Sequence, residues 1–145
     1  MLGGSSNSIL FENVRGKNSY AYYVNSIVKS YDNIMMIYSG IDGNNTNDVK
    51  RIIDKSLKEI NKGKIDVDKF ESAKKTIVSG IRASLDNSMG IINNFYAMVL
   101  VNSDDIKERI ENVNSVSINE IISLSKKISI YSSFVLEASN EENNN

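Results

Sequence analysis

The 145-residue chain contains no histidine, cysteine, proline or tryptophan. Without His or Cys, a zinc ion would have to be held by carboxylates alone, an unusual donor set for that metal, and the commonest general base at neutral pH is missing. The chain is therefore not expected to catalyse hydrolysis alone, and neither a metal ligand nor a catalytic residue is assigned to it. Lack of Cys also excludes a disulfide framework and thiolate chemistry, which suits a reducing, cytoplasmic setting. Neither sign of charge dominates: 17 basic residues face 18 acidic ones, so no nucleic-acid or anionic-membrane partner is expected. No apolar run approaches the roughly 18 residues of a membrane span, and no basic and apolar leader opens the sequence. The missing proline, beside abundant Asn, Ile, Lys and Ser, reads as a compositional habit of the genome.

What remains is enough for one domain with a real core. Ile9, Leu10, Phe11 and Val14 recur at helical spacing and the run stops near Gly16. An aromatic and β-branched stretch from Tyr20 to Ser30 predicts a strand, and Ile34 to Ile41 predicts a second. The link Tyr31-Asp32-Asn33 is too short for a crossover, so the two form an antiparallel hairpin. Alternation puts Tyr20 and Tyr22 on one face and Ala21 and Tyr23 on the other. Both faces of the second strand are largely apolar, so both are expected to be partly covered.

Helices follow. Val49, Ile52, Ile53, Leu57 and Ile60 define an amphipathic helix from about Asn47 to Lys62, closed by Gly63. Asp66 caps a second with Phe70, Ala73, Ile77, Ile81 and Leu85 inward. Asp86-Asn87-Ser88 introduces a third, the most hydrophobic, with an apolar face of Ile91, Ile92, Phe95, Met98 and Val99. Ser103-Asp104-Asp105 starts a fourth, and Ser117-Ile118-Asn119-Glu120 has the spacing of a capping box for a fifth. Ile130 to Ala138 reads as a late strand returning to the hairpin, and the Asn-rich residues 140–145 as a disordered tail. The fold class is α+β: an antiparallel sheet packed against several amphipathic helices.

The most specific stretch is Leu2 to Ser26. Gly3-Gly4 with Ser6 leads into the first helix, which ends Arg15-x-Lys17, and Tyr22 follows the arginine by seven residues. Gly3-Gly4 is no phosphate loop, since no Lys-Ser/Thr follows at the required spacing. By spacing alone Tyr22 reads as sheet packing and Arg15 as a cation favoured at a helix C-terminus. The run Arg15-Gly16-Lys17-Asn18-Ser19-Tyr20-Ala21-Tyr22-Tyr23, however, resembles the half of insulinase/pitrilysin zinc metallopeptidases that does not carry the zinc, especially small bacterial members. Gly16 stands where the family usually has Glu, which touches helix termination and leaves the Arg/Tyr pair intact. Weaker matches continue in order: the helix ending Lys62-Gly63, Phe70-x-x-Ala73-Lys74, and Val113-x-x-Val116-Ser117-Ile118-Asn119-Glu120-Ile121.

The resemblance covers residues 1–139 and implies the C-terminal portion of one insulinase-like unit, lacking the strands that open a family unit. It implies a peptidase closed by two halves, with zinc on a partner half or another subunit, and a peptide substrate. Arg15 and Tyr22 are then substrate-binding: Tyr22 donates to the oxyanion that forms on a zinc-polarised carbonyl, and the Arg15 fork fixes the peptide's register. The alternative is a structural or interaction subunit of the same fold that has lost proteolysis. If the opening strands are missing, an exposed sheet edge is expected to drive self-association, most simply as a homodimer.

Overall fold

The computed structural model describes residues 1–29 and 32–137. The element order is a short π-helical segment (Phe11–Gly16), β1 (Ala21–Lys29), β2 (Ile34–Ile41), a 3-10 turn (Gly43–Asn45), then α1 (Thr46–Asn61), α2 (Val67–Ala83), α3 (Ser88–Val101), α4 (Ile106–Ser115) and α5 (Ile118–Ser125). This is the expected α+β architecture. β1 and β2 form an antiparallel hairpin. Among the described residues no helix is long and apolar enough to cross a membrane.

The helix boundaries follow local chemistry. Gly63 adopts φ +77°; its amide donates to Ile60 O at 2.9 Å and that of Lys64 to Glu59 O at 3.0 Å, closing α1 in a Schellman motif. Asp66 caps α2 by accepting from the Asp68 and Lys69 amides. Ser117 and Glu120 form the expected capping box. Asp105 and Glu108 form another, so the acidic start of α4 acts through two hydrogen bonds besides the helix dipole.

The core sits where the first helix, the hairpin and α1 meet. Leu10 and Val14 are fully buried with Ala21, Val24 and Val49, flanked by Phe11, Tyr20, Ile37, Ile41 and Ile52. Further along, α2 packs on α4 and α5 on α1.

Three expectations are corrected. Residues 130–137 form no strand; Ala138 and 140–145 lie outside the described residues. Alternating apolar side chains supply strand propensity, but a strand needs a ladder, and no described strand pairs with this segment. Next, α2 buries Phe70 and Ile81 but leaves Ile77 exposed and ends at Ala83, so that Leu85 falls in the exposed turn beyond it, and α3 exposes all five residues of its expected inner face. Apolar residues surround α3 and it has no charged residue, so its sequence does not single out one face for burial. Polar ties hold it instead: Asn94 Nδ2 donates to Ser84 Oγ at 2.8 Å and Arg109 Nη1 to Asn94 Oδ1 at 2.8 Å. Finally, only one face of β2 is covered. Met35, Ile37 and Ile41 are half-buried, whereas Ile34, Met36 and Tyr38 are exposed.

Candidate functional site

The segment between Arg15 and Tyr22 is built from its ends inward. Buried Leu10 and Val14 fix the first helix on the core. Its last turn is wide: the Lys17 amide donates to Glu12 O, five residues back, at 2.8 Å. The chain then reverses through Ser19 at φ +54°. Two bonds hold the reversal, Ser19 N to Arg15 O and Tyr20 N to Val14 O, each 3.0 Å. Helix end and strand start are therefore one unit.

Arg15 is exposed, with its guanidinium carbon 5.0 Å from the centre of the Phe11 ring, a cation–π contact. Among the described residues it meets no carboxylate. Tyr22 stands on an irregularity of β1: Ala21 pairs with Ile41 and Tyr23 with Gly40, so Tyr22 is the extra residue of a bulge. The bulge breaks the alternation. Ala21 and Val24 both face the core, Tyr20 packs against it, and Tyr22 is 80% exposed. Tyr20 and Tyr22 thus do not share a face, as uninterrupted alternation had implied. Tyr23 lies across Gly40, where an added Cβ would stand 2.4 Å from its ring, and meets the Tyr38 ring at a centroid distance of 6.2 Å.

Sequence reasoning missed a charged cluster behind the helix. Glu12 accepts from Lys69 and pairs with Lys17 at 3.3 Å. These groups line a shallow groove of about 190 Å³ with Asn13, Ser56 and Ile60. Glu12 and Lys69 are 57 residues apart, so no local pattern could announce their contact. Neither Arg15 nor Tyr22 lines the groove.

Arg15 and Tyr22 thus offer two hydrogen-bonding side chains to solvent, one of them cationic. The site does not fit zinc. Besides the absence of His and Cys, no group of three or more Asp or Glu side chains converges among the described residues.

Residues 1–77, more than half of the chain, match the family model described as "Peptidase M16 inactive domain". The chain belongs to the M16 peptidase family. Sequence relatives agree with this assignment. The chain is 27% identical over 138 residues to the "Probable inactive metalloprotease YmfF" of Bacillus subtilis (strain 168), covering 94% of this chain and 32% of that protein. It is 26% identical over 132 residues to the "Uncharacterized zinc protease YmxG" of the same organism, covering 88% of this chain and 32% of the relative. The M16 chain thus spans about a third of the length of the curated relatives it matches. A conserved protein from Enterococcus faecalis V583 superposes with a TM-score of 0.80 at 34% identity, over 86% of this chain and 30% of that one. A protease from Helicobacter pylori shares the fold, with a TM-score of 0.73 at 15% identity over 88% of this chain and 32% of that one. The M16 match includes the Gly3 to Tyr22 segment on which the insulinase-type resemblance rests.

Proposed function

We propose that this M16 chain is the substrate-facing, non-zinc-bearing part of a peptide-hydrolysing assembly, with Arg15 and Tyr22 touching the peptide. One observation carries the reading: the bulge lifts Tyr22 out of the alternation, so an aromatic side chain on a core strand is not used for packing. Arg15, free of any carboxylate among the described residues, is the second donor of the same unit. A guanidinium donates to a carboxylate or carbonyl in a fixed fork, and a phenol donates one hydrogen bond to an oxygen whose charge grows during reaction. The zinc belongs to a partner half or to another part of a longer chain. The lack of Cys suits a cytoplasmic site of action, and self-association through a sheet edge completes the set of partners. A second reading, a scaffold that has lost proteolysis, is favoured by the name of the Bacillus relative, "Probable inactive metalloprotease".

The test is reconstitution. The chain is purified alone and with a co-expressed zinc-bearing M16 chain of the same genome, and each sample is dialysed, analysed for zinc and incubated with fluorescein-labelled casein peptides. Cleavage that rises only in the mixture supports the reading. Turnover by the lone chain, or a mixture no faster than the zinc-bearing chain, overturns it.

A further inference from the structure

Glu12 and Arg15 stand three residues apart on one short helix, the spacing at which a carboxylate and a guanidinium pair along a regular α-helix. They do not pair. Among the described residues the Glu12 carboxylate meets Lys69 and Lys17 instead, and the Arg15 guanidinium meets no acid. The helix accounts for part of this. Its last turn closes five residues back, Lys17 N to Glu12 O at 2.8 Å, so side-chain neighbours lie four and five residues apart, not three and four. Lys17, five after Glu12, comes to 3.3 Å from its carboxylate, and Arg15, four after Phe11, stacks 5.0 Å from the centre of that ring.

Backbone geometry does not secure the separation, because both side chains are long and reach solvent. The contact that does so comes from α2. Asp66, the acid three residues before Lys69, is engaged as the α2 cap, where it accepts from the Asp68 and Lys69 amides, and the Lys69 ammonium turns to Glu12 across 57 residues of sequence. Only 30% of the Lys69 side chain is accessible, against 63% for Lys17. Lys17 also divides its ammonium between Glu12 and Asn13 Oδ1, the latter at 3.3 Å. Lys69 is thus the more firmly placed of the two cations that hold Glu12.

We infer that Lys69 is a positioning residue for Arg15: by holding Glu12 on the groove side of the helix, it keeps the Arg15 guanidinium from being neutralised within its own chain. The fork then stays flat on Phe11, open to a carbonyl or carboxylate of the peptide. This rests on the reading that Arg15 touches the substrate; Lys69 itself touches none. Without the Lys69 ammonium, Glu12 keeps only the shared Lys17, and its carboxylate competes with the peptide for the Arg15 fork.

The test is steady-state kinetics of the reconstituted assembly on the labelled peptides. Lys69→Met keeps the stem and removes the charge; Lys69→Gln repeats the measurement should circular dichroism show that Met disturbs folding. KM is expected to rise about two- to fivefold with kcat unchanged, the weight of one exposed ion pair. E12Q/K69M, which removes the competing carboxylate as well, should return KM to the wild-type value, and KM in R15A/K69M should be no higher than in Arg15→Ala alone. That pattern supports the inference. A wild-type KM in Lys69→Met, or a rise that survives in E12Q/K69M as a merely structural lysine would give, overturns it, while a raised KM in Arg15→Ala leaves the substrate reading standing. A wild-type KM in Arg15→Ala overturns both.

Discussion

The Lys74 ammonium donates to the carbonyl oxygen of Asn114 at 2.7 Å, so α2 closes the end of a helix forty residues further along the chain. It also reaches Val116 O at 3.1 Å and lies 5.1 Å from the centre of the Phe70 ring. Only 16% of its side chain is accessible, although Glu71, at 3.8 Å, is half exposed. Carbonyls at a helix C-terminus lack intrahelical partners, and a cation there meets both the dipole and the lone pairs. Lys74→Met keeps the stem and removes the donor. We expect a loss of about 2–3 kcal/mol in urea denaturation, the scale of hydrogen bonds to a charged group. An unchanged midpoint would show that Lys74 is merely a solvated cation.

Two helix glycines are expected to respond in opposite directions. Gly80 lies exposed within α2 and an added Cβ meets nothing within 4 Å; Gly80→Ala should stabilise by about 0.8–1 kcal/mol. At Gly90 the same atom would stand 1.9 Å from the carbonyl oxygen of Ser84. Gly90→Ala should destabilise by about 1–3 kcal/mol, because backbone, not a flexible side chain, must move. Thermal melts followed by circular dichroism check both. A shared direction would contradict the packing of α3's start against α2's end.

Glu120 gives a pH dependence with a defined sign. Its carboxylate accepts from the backbone amide and then from the hydroxyl of Ser117, and these bonds hold its pKa below the ordinary value. A depressed folded-state pKa contributes stability that is fully present above the unfolded-state value, about 4.3, and is lost as pH falls through the folded one. Urea midpoints of wild type and Glu120→Gln should therefore differ at pH 7 and converge as the pH is lowered through that window. A gap that widens in acid would refute the assignment.

In the reconstituted assembly, Tyr22→Phe should lower kcat more than it raises KM, since the lost bond forms mainly in the transition state; one such donor is worth roughly 2.7–4 kcal/mol. Arg15→Ala should chiefly raise KM. Steady-state kinetics on labelled peptides separate the two effects, and wild-type values for both variants would return these residues to cation–π contact and surface.

Much of the fold was legible because its signals are local. Asp66, Gly63 and the Ser117/Glu120 box act within a few residues of themselves, so spacing alone placed them. The hairpin was legible for the same reason: a short polar link leaves only one way back. What failed needed a partner distant in sequence. Ile77 has core spacing but too little facing it, Leu85 falls beyond the end of α2, α3 has no polar face to orient it, and residues 130–137 have strand pattern without a paired strand. The candidate site was half legible. Arg15 and Tyr22 stood out by resemblance, whereas the bulge that exposes Tyr22 is set by the Ala21 to Ile41 register, which no run of residues spells out.

That bulge fixes a parity. Ala21 and Val24 carry odd and even numbers yet both face the core, because one residue between them is not matched on β2. Removing a single residue from 22–23 would make the count regular and turn either Ala21 or Val24 outward, together with whatever is rigidly attached to it. On the Ala21 side that attachment is the whole reversal, held by Ser19 to Arg15 and Tyr20 to Val14. The orientation of the first helix against the hairpin is thus stored as one surplus residue, and along this stretch changes in chain length by one are far more disruptive than most changes of side chain.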